Sequence, residues 1–118
     1  MDSESLELAR QFLGKDVEVT IDRPLGSKHP KHDFVYEVNY GYVEGVKAPD
    51  GEDLDAYILG ADEPLDKAVG KCIAIVHRLD NDDDKLVVVS GDREFTDEEI
   101  MKQVNFQEQW FKSEIIRE

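Results

Sequence analysis

The spacing of apolar positions changes several times along the chain, and each change predicts an element. Leu6, Ala9, Phe12 and Leu13 recur at helical spacing and Gly14 can end the run, which predicts a short amphipathic helix. In "DVEVTID" the period falls to two, with Val17, Val19 and Ile21 alternating with polar residues as in a half-buried strand. "FVYEVNYGYV" and "LDAYILG" are rich in aromatic and β-branched residues and predict two further strands. "KCIAIVHRL" and "KLVVVS" are continuous apolar runs of strand length, joined by "DNDDD" into a hairpin with an acidic tip. Thr96 can cap a helix while Glu99 completes a capping box, and "EEIMKQVNFQEQWFKSEII" then carries helical spacing to the end. About five strands between a short and a longer helix predict a mainly β (α+β) chain, a small twisted antiparallel sheet or barrel. No internal repeat or linker divides it, so residues 1–118 are read as one domain.

Composition narrows the setting. The 118 residues suffice for one modest core. With 28 acidic against 14 basic residues and a net charge of -14, nucleic acid and anionic membrane surfaces are poor partners and a cation is a good one. The single cysteine, Cys72, lies in an apolar run and excludes an intramolecular disulfide, which fits a buried, reduced thiol. "MDSESLELAR" has no signal-like apolar core, and no stretch reaches the roughly 20 apolar residues of a membrane span. The chain is therefore expected to be soluble and cytoplasmic.

Two acidic clusters, 50–55 and 80–84, stand at predicted strand ends. A calcium loop fails for both: from Asp50 the sixth position is Asp55 where glycine is needed, and from Asp80 the sixth is Lys85 and the twelfth Gly91 where glutamate is needed. Magnesium instead takes a few carboxylates from different elements and leaves other positions to water and phosphate oxygens. Asp50, Glu52 and Asp55, with Asp80, Asp82 and Asp83, could form such a shared bowl; Asp53 and Asp55, two apart on a strand, would project together. Two solvated acidic turns are the plain alternative. By the same standard His77 reads as a satisfied core residue, and Trp110 and Phe106 as helix packing.

The stretch Asn39, Tyr40, Gly41, Tyr42, followed by Asp50, Gly51, Glu52, Asp53, Leu54, Asp55, resembles the soluble inorganic pyrophosphatases of family I. Those enzymes carry N-Y-G-[FY]-I and then D-G-D-P-x-D before an apolar strand. Asp83, Asp84, Lys85 and Leu86 resemble the family's second acidic loop, and "QWFKSE" its aromatic C-terminal helix, so that the likeness spans roughly residues 20–115.

The resemblance implies a five-stranded barrel related to the OB fold, acting with magnesium, or manganese in its place, on pyrophosphate or a similar small phosphoanhydride. It implies Asp50, Asp55 and a member of the second loop (Asp80, Asp82 or Asp83) as metal ligands. Glu52 falls at the family's usual general base, and Asp55 near the attacking water. Tyr40 would contact phosphate or orient the nucleophile, and Arg23, Lys85 and Lys112 would bind phosphate oxygens. A homo-oligomer is expected, since so small a barrel gains by covering apolar surface with a copy of itself. The chemistry needs these residue types, because attack on a polyanion requires cations to neutralise charge and to generate hydroxide.

The departures are specific. Glu52 replaces aspartate at the proposed base, Asp53 stands where the family has proline or glutamate, and Phe111 stands where it has tyrosine. The family also has a longer N-terminal segment. Asp22 and Arg23 match the "DR" that precedes its aromatic strand; alternatively "VTID" is an earlier family strand and a hairpin is missing. Lys28, His29, Lys31 and His32 form a basic loop in an acidic chain, available to replace lost cations. Two functions follow: an inorganic pyrophosphatase, or a barrel of the same kind that binds a divalent metal or a phosphorylated ligand without hydrolysis.

Overall fold

The computed structural model describes residues 4–79 and 83–117. Along the chain run α1 (Glu4–Arg10), β1 (Asp16–Arg23), β2 (Asn39–Lys47), β3 (Asp53–Leu59), β4 (Lys67–Arg78), β5 (Lys85–Val89), α2 (Asp97–Glu108) and β6 (Ser113–Ile116). In the sheet β1 pairs with β2, β2 with β3, β3 with β5, β5 with β4, and β4 returns to β1. The five strands β1 to β5 thus close into a barrel, and β6 extends the sheet from β4. Closure gives each of the five strands a neighbour on both sides, although β4 runs on past the end of its pairing with β1 at Lys71. The β3–β5 pair is parallel, because β4 lies between them in the chain and carries it across the barrel.

The strand patterns follow from what each face covers. Val19, Val43, Leu54, Ile75 and Leu86, one from each of β1 to β5, form one apolar cluster with Leu6 and Ala9 of α1 packed against it. Alternate residues Tyr57, Val76 and Val87 belong to a second cluster with Ile100, Val104 and Phe106 of α2. Strands covered on both faces read as unbroken apolar runs, which accounts for "KCIAIV" and "KLVVV". Burying each such large side chain contributes about 1.5–3 kcal/mol. Cys72 is among the buried residues, and burial raises its thiol pKa to about 11, which leaves it protonated and unreactive at neutral pH.

Gly41 of the "NYGY" stretch is required by close packing: a Cβ there would overlap the carbonyl oxygen of Thr20 on β1. Thr96 and Glu99 form the expected capping box, the Thr96 hydroxyl accepting from the Glu99 N–H at 3.1 Å and the Glu99 carboxylate accepting from the Thr96 N–H at 2.9 Å.

Two expectations are corrected. The aromatic strand begins at Asn39 rather than Phe34; residues 34–36 instead clasp the basic loop, with His29 N–H donating to the Phe34 carbonyl and Tyr36 N–H to the Ser27 carbonyl. Helical spacing in the tail ends with α2 at Glu108, and residues 113–116 form β6 against Ile75–Arg78. That stretch of β4 would otherwise present a bare edge, and the β-branched Ile115 and Ile116 suit the ladder. No helix among the described residues is long and apolar enough to cross a membrane.

Candidate active site

Strand alternation generates the site. Because Leu54, Ala56, Leu86 and Val88 face the barrel interior, Asp55 and Lys85 face outward from neighbouring strands. Tyr42 lies opposite Asp55 across the β2–β3 ladder and Tyr40 opposite Tyr57, while a register shift after Ile21 brings Arg23 opposite Tyr40. Arg23, Tyr40, Asp55, Arg78, Asp83 and Lys85 consequently line the floor of one cavity of about 840 Å³. Its rim includes the basic loop, with His29, Lys31 and His32, and Phe34, Trp110 and Phe111.

Charge on the floor is tightly paired. The ammonium of Lys85, only 4% exposed, lies 2.7 Å from Asp55 Oδ2 and 2.8 Å from Asp83 Oδ1. Arg78 reaches the other Asp83 oxygen at 3.1 Å and grips Glu108 of α2 with two bonds, Nε to Oε1 at 3.1 Å and Nη2 to Oε2 at 2.8 Å. Glu108, with a fully buried side chain, also accepts from the Tyr57 hydroxyl at 2.6 Å. Gln107 donates to the same hydroxyl at 2.7 Å and accepts from Tyr36 at 3.1 Å. Burial opposes charge on Arg78, but the two-pronged contact with Glu108 more than compensates and holds its pKa above the ordinary value.

The phenols are held neutral. Burial, then the charge of Asp55 and a hydrogen bond with it, push the Tyr40 hydroxyl well above its ordinary pKa, so it remains a donor. Tyr57 is raised in the same way by burial and then by Glu108. The Phe111 ring carries no hydroxyl and instead lies 3.7 Å beneath the Arg78 guanidinium, a cation–π contact.

Asp84, adjacent to Asp83, points to the other side of the strand. Its carboxylate takes the His77 ring at 2.8 Å and the Arg78 N–H at 3.0 Å, and its own N–H donates to Ser5 of α1 at 3.2 Å. His77 is thus satisfied within the fold, as its place in an apolar run suggests.

The candidate residues separate into three groups. Arg23, Tyr40, Asp55, Asp83 and Lys85 come together in the cavity. Asp50 and Glu52 lie exposed in the turn before β3 and are not part of its lining; Asp50 Oδ1 accepts the Glu52 N–H at 2.9 Å, which fixes the turn, while Asp53 pairs with Lys47. Lys112 is exposed ahead of β6, outside the lining, and its carbonyl accepts the Leu79 N–H. Asp80 and Asp82 lie outside the described residues. Among the described residues no three of His, Cys, Asp and Glu converge as a metal-binding group. Arg78, Glu108, Tyr57 and Gln107 were not singled out from sequence. An arginine ending an apolar strand and a glutamate on the buried face of an amphipathic helix were the available signals, since buried charges need partners.

The chain is similar to an inorganic pyrophosphatase from Ehrlichia chaffeensis, at 15% identity and a TM-score of 0.70, over 89% of this chain and 87% of that one. It is also similar to inorganic pyrophosphatases from Helicobacter pylori (14% identity, TM-score 0.66, 87% and 85% covered) and Neisseria gonorrhoeae (18%, 0.62, 89% and 81%). The fold is that of the inorganic pyrophosphatases. No family model and no curated protein sequence matches the chain. The likeness to the pyrophosphatases therefore lies in the path of the backbone.

Proposed function

We propose that the chain hydrolyses pyrophosphate, or a similar small phosphoanhydride, in the cavity beside β3 and β5. The observation that carries this reading is the convergence of three cations, Arg23, Arg78 and Lys85, with Asp55, Asp83 and Tyr40 on one floor of a pyrophosphatase-like barrel. Such a set binds a polyanion and offers carboxylates on the same surface for work on water.

The donor chemistry suits magnesium, with manganese as a substitute. Asp55 and Asp83 approach a common point, now held by the Lys85 ammonium, and magnesium is usually bound through one or two carboxylates, with other positions left to water and phosphate. When bound, such an ion supplies neutralisation of phosphate charge and water of lowered pKa. In this reading Arg23, Arg78 and Lys85 hold the phosphate oxygens, and Lys85 turns from its carboxylates toward the incoming anion. Tyr40, protonated throughout the working range, donates a hydrogen bond to a phosphate oxygen. Asp55, beside both, orients the attacking water and accepts its proton. Glu52, outside the cavity lining, is not given that role.

A second reading has one observation in its favour. Lys85, Arg78 and Arg23 already balance Asp55, Asp83 and Glu108, so the floor is electrostatically complete and could serve to bind a phosphorylated ligand without hydrolysis. Phosphate release from pyrophosphate, measured with magnesium, with manganese and with a chelator, separates the two. Metal-dependent turnover supports hydrolysis. No release, together with a melting temperature raised by pyrophosphate, supports binding alone.

A further inference from the structure

The cavity continues well past its charged floor, and what lies there is aromatic. Trp110, the chain's single tryptophan, is 61% exposed on the rim, its ring 5.4 Å from Phe34. Phe34 is anchored in turn by Phe106 of α2 at 5.9 Å. Phe34 also lies 4.9 Å from His29, which stacks on Tyr36 at 6.0 Å with 14° between planes, and Tyr36 on Tyr40 at 5.4 Å and 29°. The Tyr40 ring lies 5.9 Å from the Lys85 ammonium, so a run of rings leads from the rim to the cationic floor.

The rim is organised before any ligand arrives. The His29 ring nitrogen accepts the N–H groups of Lys31 and His32 at 3.0 and 3.1 Å, and backbone bonds from Gly26 and His29 to Tyr36 and Phe34 close the loop. Bare pyrophosphate would occupy the floor and leave the exposed face of Trp110 in solvent. A volume near 840 Å³ belongs to the class of pockets that enclose ligands of nucleotide size. Flat side chains beside phosphate-binding cations are the combination that holds a base and its phosphates together.

The geometry points to a nucleoside diphosphate or triphosphate as the ligand of this cavity, its phosphates on the Arg23, Arg78 and Lys85 floor and its base against Trp110 and Phe34. This rests on the phosphate-binding role proposed above for the floor. For a diphosphate, hydrolysis has water add to the terminal phosphorus as the bridging P–O bond breaks, giving nucleoside monophosphate and phosphate with a proton released to solvent.

The test is equilibrium binding to the full chain in magnesium buffer of ADP and pyrophosphate, each with its bridging oxygen replaced by methylene so that it is not turned over, and of adenosine, followed by calorimetry and by Trp110 fluorescence. ADP should bind about tenfold or more tightly than pyrophosphate and change the indole emission, since base stacking on an aromatic ring is worth that much. Trp110→Ala should reduce the ratio of ADP to pyrophosphate affinity about fivefold or more, and Trp110→Phe should restore most of it. Equal affinities for ADP and pyrophosphate with unchanged emission would overturn the base site while leaving the phosphate floor standing. Failure of both to bind would overturn the floor and the base site together. Since Trp110 is exposed, its replacement should leave the melting temperature nearly unchanged, so a lost ratio cannot be put down to unfolding.

Discussion

Two acidic stretches meet at β3 and have opposite fates. In the turn before the strand, Asp50 and Glu52 are exposed, and Asp50 does no more than hold the turn's backbone. A few residues on, Asp55 lies at the cavity floor with Asp83, both gripped by a buried lysine. The residue type is nearly the same; the difference is the neighbouring strand. Asp55 has β5 beside it, and β5 begins with Lys85, whereas Asp50 and Glu52 stand exposed in the turn. A carboxylate is thus drawn into the cavity here by a cation on the adjacent strand, rather than by its place in an acidic run.

The largest consequence concerns the buried end of this network. Arg78→Met removes the partner of a fully buried Glu108 and should cost about 3–5 kcal/mol in denaturant unfolding, because an uncompensated charge remains. Replacing both, Arg78→Met with Glu108→Leu, should recover much of that loss; a double variant as unstable as the single would contradict the pairing. Next comes Lys85→Met, expected to lower kcat/KM for pyrophosphate by about a hundredfold or more, the scale of losing one cation at a transferring phosphoryl group. The exposed side of the comparison gives the smallest stability change: Asp50→Asn should move unfolding by no more than about 0.5 kcal/mol.

A pH experiment tests the cavity's edge. Burial raises the Asp22 carboxyl above its ordinary 3.8, partly offset by Arg23. The folded chain therefore holds this proton more tightly than the unfolded chain does. Its favourable contribution is complete below 3.8 and is lost as pH rises through the raised value. Asp22→Asn should accordingly gain melting temperature relative to wild type as pH increases from about 4 toward neutrality, and a constant difference would contradict the assignment.

Much of this was legible in the sequence because it depends on local pattern. Alternation located β1, the apolar runs located β4 and β5, and the Thr96–Glu99 pair located the start of α2. Residues 113–116 were not legible, since their helical spacing yields to the exposed edge of β4, which only the assembled barrel creates. The parallel β3–β5 pair was missed for a similar reason: pairing across an intervening strand leaves no trace in either segment. In the site, Tyr40, Asp55 and Lys85 stood out through their motif positions. Arg78 and Glu108 did not, because their significance is their mutual burial, and 30 residues separate them in the chain.

The most direct test of the account is the rate of magnesium-dependent phosphate release from pyrophosphate by wild type, Asp55→Asn and Glu52→Gln, side by side. The account predicts turnover by wild type, a loss of about a hundredfold or more in Asp55→Asn, and a change of only a few-fold in Glu52→Gln. A wild-type rate no greater than the metal-free control, or a Glu52 variant as impaired as the Asp55 variant, would contradict it.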